Sequence, residues 1–282
     1  MLDRNQTMNV QAVFMLSTGR AGTGTFAHVL QQSRHFNAFH QPNPEMIKEA
    51  FEVQQGLASP AELIKPKIAA IRDLMIGHEA KTYAETNNKL YPFARELDKY
   101  FTSRFIWIIR DPFEFVNSGL SRKWYTGAGG VWDENRERPR IGWRPGLSLV
   151  QKIAWQWCEI NRTIEREAEQ LAHVRVLHFS DLRESSDAIL RVLQWLGASD
   201  LTGDDVERIV NLRINVGRYS APRDPRTGDH IFGPRNSRTT EYFEFDRNEV
   251  QQAIQRNWRS AHSERYLSDP RVNELSEMDR AL

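Results

Sequence analysis

Three observations predict an α/β fold of three layers for this 282-residue chain, with a central, mainly parallel sheet of about five strands flanked by helices. Apolar runs bounded by turn residues recur at about 12–17, 37–40, 81–85, 104–109 and 174–179, and helix-period patterns fill the intervals. Strands that alternate with helices pair in parallel, because each helix carries the chain back to the same edge of the sheet. A Gly/Thr loop follows the first strand and a charged turn closes the fourth, both at the carboxyl edge where such sheets bind ligands.

The first strand, Ala12-Val13-Phe14-Met15-Leu16, runs into Ser17-Thr18-Gly19-Arg20-Ala21-Gly22-Thr23-Gly24-Thr25-Phe26 and then an apolar-periodic segment. Strand, glycine loop and helix in that order build an anion site. The glycines let backbone N–H groups turn toward a phosphate, the helix adds the positive end of its dipole, and Arg20 adds a full charge. The second strand ends at His40 and the third at Glu85. Helices are expected over 45–56, 60–77, 90–100 and 112–123. The longest, 146–171, carries Val150, Ile153, Ala154, Trp157, Ile160 and Ile164 along one face. A helix over 181–196 follows the fifth strand and closes at Gly197. Two segments, 124–145 and 215–242, are rich in Gly, Pro, Arg and aromatics and show no periodicity; loops of that length are usually functional, so both are expected to border the active site.

Composition narrows the classes. One domain is expected over 1–282, with a nucleotide-binding core at 10–200 and C-terminal helices and a loop at 201–282 completing the site. Lys+Arg of 38 against Asp+Glu of 37 leaves a net charge of +1, which points to neither nucleic acid nor a membrane surface as partner. Cys158 is the single cysteine, so no intrachain disulfide or cysteine metal site is available and cytoplasmic residence is the simplest expectation. The polar first ten residues and the short apolar run after them predict no signal peptide and no membrane insertion.

Gly19 and Gly24 have the spacing of the nucleoside-triphosphate P-loop, but Thr25 stands where that loop has its lysine. The fourth strand, Arg104-Phe105-Ile106-Trp107-Ile108-Ile109, ends in Arg110-Asp111-Pro112, and Ser118 lies eight residues after Arg110 on the helix that Pro112 begins. A permanently charged planar fork plus a short hydroxyl donor suits a second phosphate. Together these residues resemble the sulfotransferases that use 3′-phosphoadenosine 5′-phosphosulfate (PAPS). Their phosphosulfate loop reads Gly-[Arg/Lys]-Ser-Gly-Thr-Thr, here Gly19-Arg20-Ala21-Gly22-Thr23-Gly24, with Ala21 and Gly24 departing from it. Val174-Arg175-Val176-Leu177-His178-Phe179-Ser180-Asp181-Leu182, a helix and Leu196-Gly197 extend the likeness to residues 10–200. The family's Arg-Lys-Gly-rich C-terminal loop has no match; Arg235 and Arg238 offer comparable chemistry without that motif.

The resemblance implies a P-loop-type fold that uses PAPS as co-substrate and needs no metal, moving a sulfuryl group to a hydroxyl or amine of a small-molecule, lipid or glycan acceptor. It implies that Gly19, Arg20, Ala21, Gly22, Thr23, Gly24 and Thr25 hold the 5′ end, that Arg110 and Ser118 hold the 3′-phosphate, and that Arg20 stabilises the transferring charge. The general base is Glu85 or His40, each at the end of a strand and each with its residue type exchanged relative to family members. Arg122, Lys123, Trp124 and Tyr125 have two readings, a cationic and aromatic rim for the acceptor with Arg122 in reach of the 3′-phosphate, or an amphipathic surface with its aromatic stems tucked inward. A kinase-like phosphotransferase and a catalytically silent nucleotide-binding protein are the alternatives.

Overall fold

A long apolar run such as Phe105–Ile109 can be buried on both faces only inside a parallel sheet covered by helices on each side. That is its environment in the computed structural model, which describes residues 10–78, 81–126, 146–180, 186–210, 212–214, 231–234 and 245–267. Five strands, β1 (Gln11–Ser17), β2 (Phe36–His40), β3 (Thr82–Thr86), β4 (Thr102–Ile109) and β5 (Val174–His178), pair in the order β2-β3-β1-β4-β5, all parallel. All five lie within two residues of the predicted positions.

Alternation along the strands splits the core into two layers. On one face Phe14 and Leu16 of β1 and Phe105, Trp107 and Ile109 of β4 pack against α4 (Lys65–Met75), α7 (Leu149–Ala168) and α10 (Arg247–Asn257). On the other, Val13, Met15, Ile106 and Ile108 meet α1 (Thr23–Gln32), α8 (Ser186–Trp195) and α9 (Gly203–Val210). The three layers are therefore as expected. Connections from β1 run toward β2 and those from β4 toward β5, so the chain reverses its winding between β1 and β4 and opens a crevice at their carboxyl ends.

Helix boundaries follow local chemistry. The helix expected at 45–56 is α2 (Ile47–Gln54). The one expected at 60–77 is broken into α3 (Pro60–Leu63) and α4, because Pro66 lacks the N–H that would continue the ladder through Ile64. A 3₁₀ turn at Tyr91–Phe93 containing Pro92 precedes α5 (Ala94–Tyr100). Asp111 caps α6 (Pro112–Ser121), accepting from the Glu114 N–H at 2.9 Å with Pro112 at the first helical position. Burial pushes the Asp111 carboxyl up, while the N–H it accepts pulls the other way. Ser148 and Gln151 close a capping box at the start of α7.

One correction concerns the segment 215–242, read as lacking an element. It contains β7 (Ile231–Pro234), which pairs antiparallel with β6 (Leu212–Ile214). Four residues with Gly and Pro among them present too little alternation to declare a strand. The rest of that segment, all of 124–145 after Thr126, and Arg235 and Arg238 lie outside the described residues. The C-terminal α10 and α11 (Ala261–Leu267) cover α7 through an aromatic cluster in which Trp157 meets Trp258 at 5.0 Å and Tyr266 at 5.6 Å between ring centroids. Among the described residues, no helix is long and apolar enough to cross a membrane.

Candidate active site

The loop after β1 has the backbone of an anion nest. Gly19 (φ 80°), Arg20 (φ 56°) and Gly22 (φ 74°) are all left-handed, the conformation that such nests use, and the Gly19 N–H donates to Ser17 Oγ at 3.1 Å. Gly22 is the N-cap of α1 and supplies no capping side chain, and no acidic residue sits in the first turn, so the dipole end of α1 faces the loop uncompensated by carboxylate. Thr23 and Gly24 are buried in that turn and Thr25 is half-buried. Ala21 is fully buried in the layer that contains α1.

The glycines serve packing as well as φ. A Cβ on Gly19 would lie 2.8 Å from Asn88 Nδ2, and one on Gly22 would collide with the Phe179 ring. Asn88 follows β3 and Phe179 follows β5, so the loop is gripped from both sides by residues whose place at the loop the sequence did not show. The signal that would have found them is their position just past strand ends, and it becomes readable only once the strand order is known.

Arg110 follows β4 at the edge of the crevice. Its Nη1 donates to the Arg20 carbonyl oxygen at 2.5 Å, its Nε faces Glu114 Oε2 at 3.4 Å, and its guanidinium stands 5.7 Å from the Phe179 ring centroid. Its own carbonyl accepts from Trp157 Nε1 at 2.9 Å, which ties it to α7. The two motifs, 90 residues apart in sequence, are thus in direct contact. Ser118 lies two helical turns beyond, 8% exposed. Its Oγ accepts from Arg122 Nη1 at 3.0 Å, which directs the hydroxyl hydrogen away from that guanidinium. Tyr125 donates to Gln156 Oε1 at 2.9 Å, and Trp124 is buried in the core and packs edge-on against Phe115, so its ring is tucked inward and does not face an acceptor.

The two base candidates have different surroundings. Glu85 is 1% exposed, and its carboxylate takes Lys67 at 2.6 Å and Asn87 Nδ2 at 2.9 Å on Oε1, and the Tyr83 hydroxyl at 2.6 Å on Oε2. Burial pulls the Lys67 ammonium down against the opposing pull of Glu85, and burial together with Glu85 pushes the Tyr83 phenol well up. His40 is half-buried at the end of β2, with Nδ1 2.8 Å from Thr86 Oγ1. The structure brings the loop and Arg110 into contact at the ends of β1 and β4, leaves Ser118 two turns along α6 with Arg122 as its partner, and puts His40 and Glu85 on the β2–β3 side. The two halves meet through Gln41, whose Nε2 donates to Asn88 Oδ1 at 2.7 Å. Among the described residues, no group of three or more His, Cys, Asp or Glu is placed to hold a metal ion.

No family model matches this chain, and no curated protein does. Solved structures similar to it include three sulfotransferases. The sulfotransferase domain from the curacin biosynthetic pathway is 14% identical over 69% of this chain and 76% of its own, with a TM-score of 0.46. The sulfotransferase domain of the Synechococcus PCC 7002 olefin synthase is 12% identical over 72% and 79%, at 0.43. Sulfotransferase STF9 from Mycobacterium avium is 12% identical over 72% and 67%, at 0.49.

Proposed function

We propose that this chain is a PAPS-dependent sulfotransferase acting on a hydroxyl or amine of a small-molecule, lipid or glycan acceptor. The observation that carries the reading is the contact of Arg110 with the Arg20 carbonyl, which sets a cationic fork beside a loop already built for a phosphate. Two anion sites on adjacent strands suit a nucleotide with phosphates at both ends of an adenosine. A triphosphate would instead call for the lysine that Thr25 replaces.

In this reading residues Gly19 to Thr25 receive the 5′ end, and Arg110 with Ser118 receives the 3′-phosphate, with Arg122 beside it. Arg20 offsets the negative charge that builds on the leaving phosphate as the sulfur–oxygen bond to it breaks. Of the two base candidates, His40 fits the task, because the Glu85 carboxylate already accepts three donors in a closed environment. With Nδ1–H donating to Thr86, the basic nitrogen is Nε2, which takes the acceptor proton as the new sulfate ester or sulfamate bond forms.

Transfer of labelled sulfuryl from PAPS over a panel of alcohols, phenols, amines, lipids and oligosaccharides tests the reading. The wild type labels at least one acceptor class, and His40→Ala lowers that rate by about 10²- to 10⁴-fold, the range of general-base catalysis. Absence of transfer to every class, with PAP bound tightly, would favour a silent binder.

A further inference from the structure

The β2–β3 side of the site contains a buried construction that phosphate binding does not use. Lys67, on α4, is 1% exposed, and besides Glu85 its ammonium contacts the carbonyl oxygens of Pro42 at 2.8 Å and Pro44 at 3.1 Å. Asn87 Nδ2, bound to the same carboxylate, also donates to the Glu45 carbonyl at 3.3 Å. Two side chains that share Glu85 therefore hold three carbonyls of the turn between β2 and α2. Tyr83 occupies the other carboxylate oxygen, so Glu85 is fixed in turn.

A buried ion pair is a weak device for stability, since desolvating both partners offsets most of their attraction and an apolar pair of equal volume often serves as well. Gripping backbone carbonyls at set positions is something an apolar pair cannot do. The turn so gripped follows directly on His40 and Gln41. Gln41 takes the left-handed conformation (φ 47°), its N–H donates to the Thr86 carbonyl at 3.3 Å, and its side chain reaches Asn88, the residue that covers Gly19. A shift of the turn would be felt at His40, the residue that leads into it.

The geometry points to Lys67 and Glu85 as a positioning pair that locks residues 41–46 onto β3 and thereby sets the His40 imidazole on the acceptor side of the site. The inference rests on the reading of His40 as the base. Glu85 then affects transfer through placement and takes no proton itself, and Lys67 enters the site's architecture without touching nucleotide.

The test uses the full chain, with Lys67→Met/Glu85→Gln removing both charges while keeping the core filled, Glu85→Gln as a second variant, and His40→Gln to identify the His40 ring signals in the NMR spectrum. The double variant is expected to fold and to melt several degrees below wild type, since loss of the whole buried pair is near neutral while the Pro42 and Pro44 carbonyls lose their donor. PAP affinity is expected to stay within about twofold, because neither residue reaches Arg110 or Ser118 and distant sites act independently. At one fixed pH the His40 ring signals are expected to move by more than a linewidth in both variants, while those of His262, packed on Trp107 beneath α11, stay in place. His40 signals that coincide with wild type in either folded variant would overturn the inference. Failure of the wild type to bind PAP would instead overturn the nucleotide reading, and the His40 comparison would still decide whether the pair positions that ring.

Discussion

Arg110→Ala is expected to weaken PAP binding by about 10²- to 10³-fold. A charge-assisted hydrogen bond contributes roughly 1.5–3 kcal/mol, and each 1.4 kcal/mol is tenfold in affinity, so loss of a two-pronged contact with a phosphate reaches this range. The same substitution removes the hydrogen bond to the Arg20 carbonyl, so the loop loses one of its supports as well. Calorimetry with PAP and with adenosine 5′-phosphate separates the two effects. Loss of loop support weakens both ligands, whereas loss of the 3′-phosphate contact weakens PAP alone, and PAP is expected to suffer at least about tenfold more. Arg110→Lys should recover little of this, because an ammonium cannot keep the fork toward the phosphate and the contact with Arg20 together.

Gly22→Ala is the second large effect, here on folding stability. The left-handed backbone (φ 74°) costs a side-chain-bearing residue about 1–2 kcal/mol. The added methyl also drives into the Phe179 ring, which Arg110 covers on the side of the crevice, and overpacking of that kind costs about 1–3 kcal/mol more. Gly77→Ala is the internal control: its φ of 77° is the same but a Cβ there meets nothing within 4 Å. Denaturant unfolding should therefore show Gly22→Ala less stable than Gly77→Ala by about 1–3 kcal/mol, the packing share alone. Equal losses at the two positions would mean that Phe179 does not press on the loop.

The strands were legible in the sequence for a physical reason. Parallel strands covered on both faces need unbroken apolar runs, and Phe105–Ile109 or Ala12–Leu16 can be little else. The glycine loop was legible because glycines with positive φ and a following helix leave a local trace. Contacts that depend on strand order were not. Asn88 and Phe179 close on the loop from β3 and β5, and nothing within five residues of either announces it. Lys67 is the clearest case. Within the helix expected over 60–77 nothing marks it off from a solvated lysine, yet it is buried against Glu85 on the β2–β3 side. That partnership also changes how Glu85 reads: a carboxylate at a strand end is a candidate base in sequence, and in the structure it is the hub of three hydrogen-bonded neighbours.

The contact between Arg110 and Arg20 makes the identity of the nucleotide the central claim, and titration calorimetry of the wild-type chain with PAP and, separately, with ATP and magnesium tests it most directly. Saturable one-to-one binding of PAP is expected, with ATP and magnesium at least about 10²-fold weaker, the equivalent of some 2.8 kcal/mol. Binding of ATP and magnesium as tight as that of PAP, or no binding of PAP, would contradict it.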